Sequence, residues 1–440
     1  MRILCSTAVA FLSSATLLIG QPAPAVRPLG PVMQVSAEGL LGSVSSVRAL
    51  PRGGVIVNDI TWRQLIVLDA AFNKTVVIAD TTPATSNSYS SRMAGLIPFR
   101  ADSSLFIDTQ SLSMLVIDEK GEVSRVMAVP RPSDVIFMIG GPFGTPGLDP
   151  QGRIVYRGLV RPRFAGPSGP PEPGQTAGFP VQADTAPILR INLATRALDT
   201  AAYIKIPQNN VSMTQDEKGG IRISVLTNPL PVVDDWALMP DGRVAVVRGS
   251  DYHVDWVNAD GTRTASPKIP FGWERLDDEG KQGLLDSTRA ELEKQREAML
   301  RSLQNTVANT NAMMGGAAGS GGTRLEVRTD GPGAPRPQAG VQQVAVPTVN
   351  LVGAKELPDY RPAFRQGAAR ADAEGNLWVR TTTPSSAGAI YDVIDPAGKL
   401  VDRVQLPFGR VISGFGPGVV YLGVLDAHGA RLERARIRQE

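Results

Sequence analysis

A short turn-and-strand unit recurs six times along this chain and constrains its fold more than any other feature. Each unit has a turn rich in Gly, Pro or Asp that is followed at once by an apolar strand. Glycine permits the positive φ that tight turns need, proline fixes φ, and aspartate caps the turn with its side chain. The six units are Leu50–Val57, Arg100–Ile107, Asp149–Tyr156, Met239–Val246, Asp372–Val379 and Phe415–Leu422.

Further short strands follow each unit, separated by polar turns. Leu65–Asp69 and Thr75–Ala79 follow the first unit, and Leu115–Asp118 and Val123–Val129 follow the second. Their apolar residues alternate or run consecutively between Asp, Asn and Gly, which indicates strands and not helices. Four strands per unit are typical of a propeller blade, so the sequence predicts an all-β, six-bladed β-propeller. Five or seven blades are open alternatives.

The two ends of the chain supply the strands that close the ring. The last unit has only three strands, ending near Ile437, and a spare segment, Val32–Val35, precedes the first unit. A terminus that completes a blade made by the other terminus removes an open sheet edge. We expect blades 1–4 over residues 26–272 and blades 5–6 over residues 351–440, with the N-terminal strand closing the last blade.

An insert over residues 273–350 interrupts the repeat. Asp277–Val307 is predicted to be a helix, because its leucines recur on one stripe and Asp277 and Asp278 suit its N-terminus. This helix either lies on the propeller or binds a partner or a second copy. Asn309–Gln343 is rich in Gly, Ala and Pro and predicts a flexible linker, as does the shorter Gly166–Pro180 in blade 3.

The first 25 residues have the pattern of a signal peptide. Arg2 precedes an apolar stretch, Ile3–Ile19, and Ala23–Ala25 supplies small residues for cleavage after Ala25. The sequence therefore predicts a periplasmic or extracellular protein without a membrane span after cleavage; a single membrane anchor is the alternative. The one cysteine, Cys5, would be removed, which excludes thiol catalysis, disulfides and cysteine-bound metal in the mature chain.

The charge distribution does not suit a nucleic-acid partner. The 45 basic and 42 acidic residues give a net charge of +3, and no run of five like charges occurs. A nucleic-acid-binding protein commonly carries a clustered basic patch. We therefore expect no nucleic acid as a partner.

Two of the units carry a resemblance to a known group. Asp372–Val379 and Met239–Arg243 resemble turns of six-bladed propellers in the NHL, TolB and gluconolactonase-like superfamily, over roughly residues 44–270 and 360–437. The resemblance is at the level of the fold and implies diverse functions. Gluconolactonase-like members hold a divalent cation through Glu, Asn and Asp. Glu38-Gly39 is similar to the first ligand motif, but the Asn-Gly dipeptide associated with a later ligand is absent.

One set of polar residues falls at equivalent positions in the repeat. In a propeller, the ends of the second strands approach the rim of one face, beside loops that commonly bind ligands. Arginine suits carboxylate, phosphate or sulfate groups, so the set predicts a partly electropositive pocket. The alternative is that each arginine pairs with a neighbouring blade and only holds the blades together. The candidate ligand-binding residues are Asp59, Asp108, Arg157, Arg248 (one position later than the others) and Arg380, with Gly423 at the equivalent position of the last blade.

No catalytic constellation stands out in the sequence. The two histidines, His253 on a strand and His428 in a turn, lie in different blades, and no catalytic serine elbow, phosphate loop or zinc motif is present. No cofactor or metal ligand is indicated. The sequence favours a non-enzymatic binding or scaffold protein for a protein partner or an anionic ligand. A hydrolase or lyase with a cation in the central channel is the alternative.

Overall fold

The structure is a computed structural model, and it describes most of the chain. The described residues are 23–82, 88–160, 176–177, 183–215, 221–315, 324–328, 341–345, 348–427 and 429–438. Nearly all of the predicted signal peptide and His428 lie outside these residues. Within them, no helix combines the length and the apolar character that a membrane crossing requires.

Six sheets form the blades of a β-propeller, which confirms the prediction from the turn-and-strand units. Blades 1–4 each have four antiparallel strands. From the innermost to the outermost strand, blade 1 consists of Ser46–Ala49, Val55–Asp59, Gln64–Leu68 and Lys74–Ala79; blade 2 of Ala94–Pro98, Ser104–Asp108, Ser113–Ile117 and Val123–Ala128; blade 3 of Gly147–Leu148, Arg153–Arg157, Thr185–Asn192 and Leu198–Lys205; and blade 4 of Asp235–Leu238, Val244–Arg248, His253–Val257 and Arg263–Ala265.

The last two blades each receive a strand from the N-terminal segment. Val32–Val35 pairs antiparallel with the third strand of blade 6 and completes that blade. Val26–Pro28 pairs parallel with the outer strand of blade 5, an addition that the sequence did not predict. In the same inner-to-outer order, blade 5 consists of Phe364–Ala371, Leu377–Thr381, Ile390–Ile394, Leu400–Gln405 and Val26–Pro28, and blade 6 of Arg410–Gly416, Val419–Asp426, Gly429–Arg436 and Val32–Val35.

Apolar clusters between successive blades close the ring. Each blade hides both of its faces against its neighbours, and one buried cluster lies at each of the six blade boundaries. At the boundary of blades 6 and 1, Leu432 packs with Val47 and Val57. The strands are apolar on both faces because each sheet is covered on both sides, and burial of that area is the main stabilising term.

The connections of the propeller fall on two opposite faces. The turn of each repeat unit joins the first and second strands of a blade, and these turns share one face, here called the turn face. The connections from the second to the third strand, and from one blade to the next, share the other face, here called the loop face. The ends of the second strands therefore reach the loop face, where the candidate residues were expected.

An accessory sheet and a long helix lie outside the propeller. The hairpin Asn209–Gln215 and Ile221–Thr227 pairs with Thr176–Ala177 on one side and Thr348–Leu351 on the other. A parallel ladder joins Arg324–Arg328 to Val341–Ala345, so the described parts of the predicted linkers include strands. The helix is Asp278–Gly315, and three short 3-10 helices span Pro132–Phe137, Gly141–Phe143 and Ala354–Glu356.

The first turns of the long helix pack against the end of the accessory sheet, and the helix also contacts the strand Arg324–Arg328. Leu285 is buried against Val352 and Leu357, and Asp277 caps the helix by accepting from the Gly280 main-chain N–H at 2.8 Å. Farther along the stripe, Met299 is 52% exposed. The propeller therefore does not cover the whole apolar stripe. The prediction that the helix lies on the propeller required that it should.

Candidate functional site

A glycine-rich loop lies across the channel on the loop face. The loop, Ile139–Thr145, belongs to the connection between blades 2 and 3 and is here called the cross-channel loop. It contacts the innermost strand of blade 2 at Gly95, where an added Cβ would lie 2.4 Å from the Ile139 Cα. On the opposite side, the Thr145 hydroxyl donates to the Ala369 carbonyl of blade 5 at 3.0 Å. The loop therefore spans the channel between blades that are not adjacent.

Blade 4 fixes the C-terminal part of this loop. The indole N–H of Trp236 donates to the Phe143 carbonyl at 2.8 Å, and Thr145 forms a parallel bridge with Ala237. Gly144 has a φ of 100°, and a Cβ there would lie 2.1 Å from the Trp236 indole nitrogen. Only glycine fits this backbone and this close approach. The local sequence thus sets the position of the Phe143 ring.

Arg157 lies beneath the cross-channel loop, at the end of the second strand of blade 3. Its guanidinium carbon is 5.4 Å from the ring centroid of Phe137 and 5.2 Å from that of Phe143. These distances allow cation–π attraction to both rings. The side chain is 8% exposed, and its buried Nε has no hydrogen-bond partner among the described residues. A buried polar N–H without a partner costs roughly 1–3 kcal/mol, so the site is energetically receptive to an acceptor.

Asp235 is the acidic neighbour of this arginine. It begins the innermost strand of blade 4, is buried, and accepts the Ala369 main-chain N–H at 2.7 Å. Burial raises the pKa of Asp235 to about 6, partly offset by main-chain N–H donors and by the charge of Arg370. Burial also lowers the pKa of Arg157, and the Asp235 carboxylate acts in the opposite direction. Arg157 and Asp235 are therefore electrostatically coupled although no ion pair joins them.

The two candidate aspartates have structural partners. Asp59 is buried and accepts the Gly42 main-chain N–H at 2.7 Å and the Ser43 hydroxyl at 2.9 Å. Asp108 is buried and accepts the Ser90 main-chain N–H at 2.7 Å. Each carboxylate thus holds the segment that enters its own blade, and also caps the turn that follows its strand.

Arg248 is engaged in ion pairs. Its guanidinium contacts Asp234 and Asp255, each at 2.7 Å, and donates to the Tyr203 carbonyl of blade 3 at 3.1 Å. These contacts join blades 3 and 4, which is the role that the alternative interpretation assigned to the arginines.

Arg380 lies on blade 5 and is exposed. Gly423 lies on blade 6, where an added Cβ would be 3.0 Å from the Val44 carbonyl oxygen. Of the three predicted arginines, Arg157 alone is buried, and no described ion pair engages it. The five residues occupy the loop face as expected, but their side chains do not converge on one described pocket.

The sequence did not indicate the residues that surround Arg157. Asp235, Phe137 and Phe143 come from blade 4 and from the connection between blades 2 and 3, so they are distant from Arg157 in sequence. The signal that would have identified the loop is its composition, since residues 140–147 contain four glycines and two prolines in eight residues. Such a segment resists both helix and strand, which marks it as a special backbone conformation.

No metal-binding group is present among the described residues. There, no set of three or more His, Cys, Asp or Glu side chains is placed to hold an ion. Glu38, the residue similar to a cation ligand, is exposed, and the Arg431 guanidinium lies 3.5 Å from its carboxylate. His253 contacts Asp251 at 2.6 Å and is a hydrogen-bonded blade residue.

A cavity of about 740 Å³ opens between blades 5 and 6 at the turn face. Its carboxylates already have partners: Asp372 accepts the Trp378 indole N–H at 2.9 Å, and Glu374 accepts the Gly418 main-chain N–H at 2.5 Å. This cavity therefore offers a weaker case for a ligand site than the surroundings of Arg157.

Comparison with known proteins gives fold-level likenesses only. No family model and no curated protein matches the chain. A selenomethionine-substituted virginiamycin B lyase from Staphylococcus aureus is similar at 10% identity and a TM-score of 0.37, covering 92% of this chain and 99% of its own. A member of the duf4221 family from Bacteroides vulgatus has 8% identity and a TM-score of 0.48, with coverages of 95% and 99%. The PQQ-bound aldose sugar dehydrogenase from Streptomyces coelicolor has 12% identity and a TM-score of 0.38, with coverages of 94% and 100%. No activity is inferred from these likenesses.

Proposed function

We propose that this protein is an exported, non-enzymatic binding propeller that takes an anionic ligand at the loop face through Arg157. The observation that carries the proposal is the state of this guanidinium. It is buried beside two aromatic rings, and its Nε has no acceptor among the described residues. A guanidinium is a strong, planar donor for carboxylate and phosphate oxygens, so an anion is the group that best satisfies it.

The other candidate residues support a single anion-binding arginine. Arg248 is neutralised by two carboxylates, and Asp59 and Asp108 hold main-chain N–H groups. Among the described residues, no group of three or more His, Cys, Asp or Glu side chains is placed to hold a metal ion, so none supports the cation-dependent hydrolase or lyase. Ligand capture at Arg157 is the function that the described geometry supports best.

The experiment is a binding measurement with simple anions as probes. Acetate, benzoate, phosphate and sulfate are titrated by calorimetry into the purified protein and into the Arg157→Met and Arg380→Met variants. We expect at least one anion to bind the wild type and Arg380→Met, and to bind Arg157→Met at least ten-fold more weakly. Binding that is unchanged in Arg157→Met, together with a lowered melting temperature, would assign Arg157 a structural role and reject the proposal.

Export is tested separately at the N-terminus. The proposal requires cleavage of the predicted signal peptide after Ala25, so N-terminal sequencing of the protein from the extracytoplasmic fraction should begin at Val26. A full-length chain retained in the membrane fraction would support the anchor alternative instead.

A second candidate function is partner binding by the long helix. It is supported by the exposure of Met299, which lies on the apolar stripe beyond the turns that pack on Leu357. The Met299→Glu variant is compared with Glu297→Gln, a change on the neighbouring solvated surface. Loss of a co-purifying partner or of self-association only in Met299→Glu would support this function, and identical profiles would remove it.

A further inference from the structure

We propose that the site at Arg157 is a closed subsite for a single carboxylate group, and that the cross-channel loop is the lid that must open to admit it. This inference rests on the proposed function, because it assumes that Arg157 is the anion-binding group. It adds the chemical class of the ligand and the route by which the ligand enters.

The need for an opening follows from burial. Arg157 is 8% exposed, and Phe137 and Phe143 stand within 5.4 Å of its guanidinium carbon. Phe143 is carried by the cross-channel loop, whose Gly141 and Pro142 are exposed at the surface. A ligand that approaches from the loop face therefore meets this loop before it meets Arg157.

The cross-channel loop is held by a few separate contacts, at its tip and at its C-terminal end. Its tip touches blade 5, where an added Cβ on Gly367 would lie 3.3 Å from the Pro142 Cα. Its C-terminal end is held by the Thr145 and Trp236 hydrogen bonds described above. Gly140 and Gly141 have positive φ values of 85° and 70°, and glycines lower the barrier to backbone rearrangement. Such an arrangement is that of a hinged cover, with few anchors and a permissive backbone.

The charge of the surrounding groups selects a monoanion. The Asp235 carboxylate acts on Arg157, and Arg370 acts on Asp235. Of these groups, Arg157 is the one that lies against the aromatic rings, and its single positive charge is neutralised by one carboxylate ligand. A dianion would leave an uncompensated negative charge in a buried site, which is unfavourable. The flanking aromatic rings suit an apolar body attached to the carboxylate.

The lid is tested by the chemical reactivity of Arg157. Phenylglyoxal modifies accessible arginines, and peptide mass spectrometry reports the rate at each position. A cross-link between Pro142→Cys and Gly367→Cys fixes the tip of the loop to blade 5, because a Cβ built on residue 367 lies 3.3 Å from the Pro142 Cα. The pair is placed in a Cys5→Ser chain, which has no other cysteine. We expect Arg157 to react at least ten-fold more slowly in the oxidised than in the reduced form, with Arg380 equal in both.

A second variant avoids any strain at Gly367. Thr145→Val keeps the shape of the side chain and removes its hydrogen bond to Ala369. Loss of this hydrogen bond should increase the ratio of open to closed loop about five-fold. Arg157 should then react about five-fold faster than in the wild type. Equal rates in the oxidised and reduced forms, together with an unchanged rate in Thr145→Val, would overturn the lid.

Ligand protection tests the chemical class. At pH 8, benzoate should slow the modification of Arg157 in the wild type, whereas phosphate at the same concentration should not. Protection by phosphate alone would reject the carboxylate class while leaving anion binding intact. A third outcome is that the loop shields Arg157, that no anion slows its modification, and that anion affinity is unchanged in Arg157→Met. That outcome would reject the proposed function, and the loop would then be mobile without admitting a ligand.

Discussion

The guanidinium of Arg248 donates to the carboxylate of Asp234 at 2.7 Å and thereby ties the second strand of blade 4 to the segment that enters the same blade. Asp234 also accepts the main-chain N–H groups of Lys205 and Gly249, at 2.9 and 3.1 Å. One carboxylate thus connects the outer strand of blade 3 with blade 4. The arginine satisfies a carboxylate that would otherwise be buried without a countercharge.

Replacing this arginine is expected to weaken the propeller without affecting ligand binding. Arg248→Met should lower the free energy of unfolding by about 2 kcal/mol, because it removes two ion pairs that are only partly exposed. The matched control is Arg380→Met, an exposed arginine for which about 0.5 kcal/mol or less is expected. Urea denaturation followed by tryptophan fluorescence measures both. Equal losses in the two variants would contradict the structural role of Arg248.

Asp235 should make stability depend on pH in a direction opposite to that of most carboxylates. Its pKa in the folded protein is about 6, above the ordinary value of 3.8, because burial penalises the charged form. Well below pH 3.8 the side chain is protonated in both the folded and the unfolded states. As the pH rises from 4 to 6, the unfolded chain loses this proton first, so the ionised carboxylate costs the folded state about 3 kcal/mol by neutral pH.

The Asp235→Asn variant isolates this contribution. Its amide oxygen can still accept the Ala369 N–H, but it does not titrate. We expect its unfolding free energy, relative to wild type, to rise by about 2 kcal/mol between pH 4 and pH 7.5. Asp260→Asn serves as the control, since hydrogen bonds from Thr262 lower the pKa of this exposed residue and predict a trend of opposite sign. A flat difference for Asp235→Asn would show that its carboxyl has an ordinary pKa.

Leu29 should be essential to ring closure. It lies between the two N-terminal strands, is buried among Trp378, Leu406 and other residues of blades 5 and 6, and donates its main-chain N–H to Gln405 at 2.9 Å. Leu29→Ala should cost about 2–4 kcal/mol by creating a cavity at this seam. Val26→Ala, at an exposed position of the same segment, should cost about 0.5 kcal/mol or less.

Denaturation midpoints and limited proteolysis check this pair of variants. In Leu29→Ala, cleavage within the N-terminal segment should precede unfolding of the remaining blades, because the seam depends on that segment. If both variants unfold and are cleaved like the wild type, the N-terminal strands do not stabilise the ring.

The repeat could be read from the sequence because its signals are local. A turn such as Met239–Arg243 depends on residues within five positions, and the strand after it is apolar regardless of what it packs against. The parallel strand Val26–Pro28 and the paired strands Asn209–Gln215 and Ile221–Thr227 were missed. Each depends on pairing with residues distant in the chain, and short apolar segments do not specify their partners.

For the candidate site, too, the sequence predicted the features that depend on local residues and not those that depend on distant ones. The sequence by itself placed Arg157 and Arg248 near the ends of second strands, with Arg248 one position later in the alignment, because the repeat fixes where those strands end. Only the tertiary structure distinguished them, since Arg248 meets Asp234 and Asp255 whereas Arg157 meets two phenylalanine rings and the field of Asp235. The physical reason is that strand position follows from local backbone preferences, whereas the charge, burial and partners of a side chain are set by whichever distant segments the closed ring brings beside it.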